Sequence, residues 1–282
     1  MHGSRGPRSL LATLVAIITL FMVMVAPASA ITKGGVVDSD NDYPYVGLMV
    51  AYVYDEDTKT YVPSWRCTGT LVDPKLFITA GHCTYGADHV EIWFDWDLTD
   101  TENEGYPLYG EGDASGDPYT HPEYDDSQFY LHDLGVVVLD GKGYGTEDGT
   151  YATLPGEDDA GMLDGLVVGT QFTTVGYGLQ SAYPDGTPPD VNLTKAERVR
   201  MIASPVLHQY VGDFALLLSN NSKTGGTCFG DSGGPTFYDG VLVAVTSFGV
   251  NETCAGHGGV YRLDTADDLY WLYNAPEFER YI

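Results

Sequence analysis

The chain has 282 residues, of which 43% are hydrophobic and 12% aromatic. That content argues against a disordered or collagen-like polymer and suffices for one large domain or two small ones. Its 13 Lys and Arg against 40 Asp and Glu give a formal net charge of −27, which argues against nucleic-acid binding through a basic surface.

The first thirty residues read as a secretory signal. Arg5 and Arg8 form a basic start, Leu10 to Val25 is almost wholly apolar, and Ala28-Ser29-Ala30 supplies small residues at a cleavage site. An uncleaved anchor is the alternative, since the apolar run approaches bilayer-spanning length. The Ala-Ser-Ala site favours cleavage, which leaves an exported chain starting at Ile31, without membrane association. Short apolar and β-branched runs then recur between Gly, Pro, Asp and Asn clusters. They are Val46–Tyr54, Thr68–Val72, Val90–Phe94, Leu134–Leu139, Leu166–Val175 and Val241–Phe248. This spacing predicts an all-β protein of many short strands. The acidic stretch from Asp95 to Asp126 reads as surface loop, with calcium binding through its carboxylates as a second reading. The Pro155-Gly156 segment within 152–161 reads as the boundary between two halves, 31–155 and 156–282. A C-terminal helix starts after Asp264 or Thr265 as cap, with Leu269, Leu272 and Tyr273 on one face.

Three short segments carry chemistry: Thr79-Ala80-Gly81-His82-Cys83, His132-Asp133-Leu134 and Gly230-Asp231-Ser232-Gly233-Gly234-Pro235. A serine hydroxyl is a poor nucleophile at neutral pH. It needs an imidazole to take its proton and a carboxylate to hold that imidazole in the right tautomer. Glycines beside the serine let backbone N–H groups approach a developing oxyanion. Residues 230–234 also satisfy a G-x-S-x-G pattern. That pattern requires a strand–turn–helix context and the order Ser, acid, His, whereas the order here is His82, Asp133, Ser232. Only 50 residues follow Ser232, and the glycines and proline after it oppose a helix.

On these motifs the chain resembles the chymotrypsin/trypsin family of serine endopeptidases across nearly all of residues 31–282. Supporting matches are Pro44, Val175-Gly176-Tyr177-Gly178, Ser247-Phe248-Gly249 and Gly259-Val260-Tyr261. The resemblance implies two packed six-stranded antiparallel β-barrels with the active site between them and a short C-terminal helix. It implies His82 as general base and acid, Asp133 as its orienting carboxylate and Ser232 as nucleophile. His132 adjoins Asp133 but is not the residue in the motif. The oxyanion hole would be the N–H groups of Gly230 and Ser232. The four cysteines allow three pairings. The resemblance selects Cys67–Cys83 and Cys228–Cys254.

The same resemblance puts Gly226 at the floor of the primary specificity pocket. Thr227, Phe229, Ser247, Phe248, Gly249 and Gly259 form its surroundings. No acid stands at the floor, so an open slot for apolar or aromatic side chains is expected, although Glu252 is close enough in sequence to supply a charge. Asp231 is expected to pair with the α-ammonium of Ile31. The chain reads Ile31-Thr32-Lys33-Gly34-Gly35, one residue longer before the glycines than the family's usual start. Signal cleavage would itself expose Ile31. Asn192, Asn220 and Asn251 head glycosylation sequons. The reaction needs no cofactor, and no metal-ligand spacing stands out. Protein or peptide substrates are the expected partners, proteinaceous inhibitors are possible ones, and the chain is expected to be a secreted monomer. A catalytically silent binding protein on the same fold, or a secreted esterase, are the competing functions.

Overall fold

The computed structural model describes residues 34–99, 111–182 and 197–282. The signal segment and Ile31 lie outside the described residues. Among those described, no helix is long and apolar enough to cross a membrane.

The first half is a closed antiparallel barrel. Its strands are β2 (Val46–Asp55), β3 (Thr60–Asp73), β4 (Leu76–Thr79), β5 (His89–Trp93), β6 (Ala114–Thr120) and β7 (Gly135–Leu139). They close in the order β2-β3-β4-β7-β6-β5, so no edge is left for a foreign strand. Leu48, Met49, Leu71, Phe77, Ile78 and Val136 on its strands have no exposed surface and belong to one core cluster. The four-residue helix α1 (Gly81–Thr84) follows β4 directly.

The second half is an eight-stranded sheet. β8 (Thr173–Gly176), β9 (Met201–Ala203), β10 (Leu207–Val211), β11 (Ala215–Asn220), β12 (Pro235–Tyr238), β13 (Val241–Gly249) and β14 (Gly256–Arg262) supply seven strands. The eighth is β1 (Val36–Val37), near the start of the described chain, which pairs with β9 at one edge. The expected six strands are thus extended to eight. Helix α2 (Ala266–Asn274) follows β14, capped by Thr265 and burying Leu269 and Leu272.

Two sequence readings are corrected. The stretch Leu166–Val175 is strand only from Thr173; Gly165 and Gly169 adopt positive φ, and Val167 and Val168 point into solvent. The acidic stretch 95–126 contains β6, an interior strand of the barrel. Its composition, Ala-Ser-Gly-Asp-Pro-Tyr-Thr, hides it. Gly116 is required there, because a Cβ would lie 2.4 Å from the Val138 carbonyl oxygen. Residues 100–110 of that stretch, and any calcium site on them, lie outside the described residues.

The halves are pinned together by a buried guanidinium. Arg200, without exposed surface, donates Nε to Asp38 Oδ2 at 2.7 Å. Its Nη1 donates to the carbonyls of Val46 and Phe94 and to the Tyr177 hydroxyl. Its Nη2 reaches Asn41. The segment after β7 is a second tie. Ala152 donates its N–H to Leu71 in the barrel, and Leu242 donates to the carbonyl of Thr153.

Candidate active site

His82 stands on α1, which β4 delivers to the junction of the halves. The backbone N–H of His82 donates to Asp133 Oδ1 at 2.8 Å. Its ring Nδ1 lies 3.1 Å from Oδ1 and 3.0 Å from Oδ2 of the same carboxylate. Asp133 is fully buried just ahead of β7 and receives a further hydrogen bond from Ser247 Oγ at 2.5 Å. His132 precedes it at φ 49°, a left-handed conformation that points the His132 ring away into its own cluster. Burial of the His82 ring opposes its protonation, but the charge of Asp133 and its hydrogen bond outweigh burial and raise the pKa above the ordinary imidazole value. A carboxylate that accepts the Nδ1 proton leaves the Nε2 lone pair free to accept another.

Ser232 sits in a tight loop before β12. The Thr68 N–H donates to the Ser232 carbonyl, and the Gly233 N–H to that of Thr246. Gly230 has φ 96° and Gly233 φ 76°. A Cβ at Gly233 would lie 2.0 Å from Thr79 Oγ1, so only glycine fits this turn between the halves. Thr68 Oγ1 donates to the Gly230 carbonyl and accepts from the Tyr177 N–H, so one hydroxyl joins the loop to both flanking strands.

Asp231 is wholly buried. The N–H of Gly178 donates to Oδ1 at 2.7 Å and that of Cys228 to Oδ2 at 2.8 Å. Burial pushes its pKa up to about 6 against these hydrogen bonds and the nearby Arg66 charge. Gly176 and Gly178 are needed beside it, since a Cβ at either would fall within 2.3 Å of its carboxylate. Whether Ile31 reaches it lies outside the described residues.

The disulfides Cys67–Cys83 and Cys228–Cys254 are both present. The first ties α1 to β3, and the second braces the Ser232 loop.

His82 and Ser232 line one cleft of about 350 Å³. Of the expected pocket residues, Thr227, Phe229, Ser247, Phe248 and Gly249 line it too. Gly226 and Gly259 do not. The Phe248 ring lies on Gly259, where a Cβ would come 2.4 Å from Cζ. Gly226 borders a separate void with no room for a water molecule, backed by Asn220. The Asn220 amide donates to the Thr227 carbonyl at 2.7 Å. Asn220 is therefore a buried structural residue, and its sequon cannot be used in the folded protein. Glu252 is not among the residues lining the cleft. Tyr124, Asp126 and Phe129 do line it and carried no signal in the sequence beyond lying in an acidic stretch.

The sequence model of the Trypsin family matches residues 35–266. Brachyurin of Leptuca pugilator is 28% identical over 78% of this chain and 88% of its own length. Trypsin of Saccharopolyspora erythraea is 30% identical over 69% of this chain and 80% of its own length. Among solved structures, human heparin binding protein aligns at TM-score 0.60 with 19% identity, covering 86% of this chain and 97% of that one. HL collagenase aligns at TM-score 0.57 with 18% identity, covering 82% and 93%. At these identities the structures speak for the fold. The matched span takes in α1, the Asp133 segment and the Ser232 loop together, and the chain belongs to the trypsin family of serine endopeptidases.

Proposed function

We propose that this protein is a secreted serine endopeptidase that works through an acyl-enzyme. Ser232 Oγ attacks the scissile carbonyl carbon as His82 Nε2 takes its proton. His82 then gives that proton to the leaving amine, and water attacks the ester in the reverse sense. Asp133 holds the imidazole in the Nδ1–H tautomer and stabilises the imidazolium. Gly230 and Ser232 donate their N–H groups to the oxyanion, each worth about 2.7–4 kcal/mol of barrier. The observation that carries the reading is the His82–Asp133 contact at 3.0 Å, with His82 and Ser232 on one cleft. The chemistry needs no cofactor.

The preferred side chain before the cleaved bond is apolar. Phe229, Phe248, Thr227, Gly249 and the Cys228–Cys254 bridge offer no charge to a cationic group, nothing acidic stands at Gly226, and among the described residues Asp126 is the one acidic residue on the cleft lining. Signal cleavage after Ala30 exposes Ile31, whose ammonium is the counter-ion for Asp231. The protein acts as a monomer on protein or peptide substrates and is open to proteinaceous inhibitors of the family. The heparin named for one structural neighbour is a polyanion and does not suit a chain of charge −27.

The test is digestion of a mixed peptide library by residues 31–282 beside Ser232→Ala. Cleavage after Phe, Tyr or Leu that vanishes in the variant is expected. Cleavage after Lys or Arg would overturn the pocket reading alone. Hydrolysis of esters without peptides would replace the endopeptidase reading with an esterase.

A further inference from the structure

A second cluster of ionisable side chains lies behind Asp133 and takes no part in the proposed reaction. The rings of His121 and His132 stack with centroids 5.1 Å apart and planes inclined by 13°. Trp271 of α2 meets His121 edge-on at 4.9 Å, so one side of the cluster is dry. Asp268 of the same helix is fully buried and faces His121, with Oδ1 3.8 Å from Nε2. Its Oδ2 is taken by the Tyr261 and Thr265 hydroxyls. Asp268 Oδ1 and His132 Nδ1 are both buried without a hydrogen-bond partner. Two buried polar atoms without a hydrogen-bond partner in one cluster call for an explanation.

One ligand atom each from His121, His132 and Asp268 lie within 4.8 Å of one another. The 3.8 Å separation is too long for a hydrogen bond and short for a bridging water, whose two bonds of about 2.8 Å open at a tetrahedral angle. Two ligand bonds of about 2.0–2.2 Å to a metal span it. Asp267 Oδ2 stands 3.5 Å from His132 Nδ1, and Glu123 Oε2 3.4 Å from its Nε2, so further carboxylates surround the same ring. A cavity lined by His132 and Asp267 opens beside the cluster and provides an entry path. The cation nearest that path, Arg262, is held by Asp264 and Asp164.

We propose that His121, His132 and Asp268 form a binding site for a zinc-class divalent cation, with Asp267 as the adjacent carboxylate. Mixed imidazole and carboxylate donors at these spacings suit zinc and its first-row neighbours rather than calcium. The Glu123 N–H donates to His121 Nδ1 at 3.2 Å, which puts the ring proton on Nε2. Ligation through Nε2 moves that proton to Nδ1 and releases this long bond. Glu123 is at the surface, where its amide finds water. The metal would clip α2, near the end of the chain, to the segment that leads into Asp133.

The experiment uses metal-free mature chain carrying Ser232→Ala, which prevents self-digestion. Zinc is titrated by calorimetry, and cobalt(II) by visible absorption. One ion per chain and a tetrahedral or five-coordinate cobalt spectrum are expected, together with a higher melting temperature in zinc. His132→Asn keeps a residue that tolerates the left-handed backbone, and Asp268→Asn keeps the shape of the buried carboxylate. Each should weaken zinc by about 100-fold or more, since even outer-shell partners of metal ligands are worth 10- to 100-fold. Circular dichroism of both variants checks that they fold. The proposal is overturned by three results: no saturable zinc binding, affinity unchanged in the folded variants, or displacement of zinc by millimolar calcium.

Discussion

Ser247 Oγ donates a 2.5 Å hydrogen bond to Asp133 Oδ2, joining β13 of the second half to the carboxylate that faces His82. A hydrogen bond to a charged group is worth about 1.5–3 kcal/mol. Ser247→Ala should therefore lower kcat by roughly 10- to 150-fold at that energy, with a smaller effect on KM, because the hydroxyl, although on the cleft wall, is committed to Asp133. Steady-state kinetics on one peptide substrate separates the two constants. A rise in KM alone would mean that Ser247 acts on binding instead.

Asp133→Asn should cost about 10⁴-fold in kcat, because the amide favours the wrong imidazole tautomer. The same variant has a pH signature. Asp133 raises the pKa of His82, so wild-type kcat/KM should fall as pH drops through a value above the ordinary imidazole range. Only the neutral ring can accept the serine proton, which fixes the sign: activity is present above that pKa and lost below it. In Asp133→Asn the raising charge is gone and the acid limb should move to lower pH. A limb that stays in place would show that another group titrates.

Asp231 yields a prediction about chain processing. With two backbone hydrogen bonds and the nearby Arg66 charge to oppose burial, its carboxyl is still held up at about 6, above the unfolded value of 3.8. Its ionisation then opposes folding, and stability should fall as pH rises between those values. An ammonium at Ile31 offsets this. A chain carrying two extra residues before Ile31 should be nearly inactive and should lose stability between pH 4 and 6 relative to the chain that starts at Ile31. Urea denaturation at several pH values and mass spectrometry of the secreted N-terminus are the measurements.

Arg200→Leu should destabilise the fold by about 3–5 kcal/mol, the usual cost of leaving a buried charge without its partner. The change strands Asp38 and also removes donors from the Val46 and Phe94 carbonyls. Denaturant titration reads the loss directly. Arg200→Leu with Asp38→Leu should recover part of it, since both charges are then absent.

Much of this site was legible because its chemistry is local in sequence. His82, Asp133 and Ser232 sit in short motifs whose residue types suit the proposed reaction, and the disulfides follow from the same frame. What could not be read depends on contacts between distant segments. Arg200 looks like any surface base until Asp38, 162 positions away, is brought against it. Strand β6 reads as loop because of Gly116, which neighbouring backbone crowds, and Pro118, which lies beyond the part of β6 paired with β5. The histidine and aspartate cluster draws on residues 121, 132 and 268, a separation that no short metal motif spans. The expected pocket parts from the cleft at Gly226 and Gly259 for a subtler reason. Glycines at 226 and 259 suggest an empty slot, yet a glycine is also needed wherever a neighbouring side chain has already moved in, as Asn220 and Phe248 have done.

That last arrangement limits how this enzyme can be re-engineered. Placing an aspartate at Gly226 to capture lysine would drive its Cβ to within 2.4 Å of Asn220 Cγ and break the hydrogen bond from the Asn220 amide to the Thr227 carbonyl. The new carboxylate would be walled off from the cleft rather than displayed at its base. The Phe248 ring on the cleft lining rests on Gly259 of β14. A change of preference must begin at Phe248, with the floor residue altered only after the ring has been made smaller.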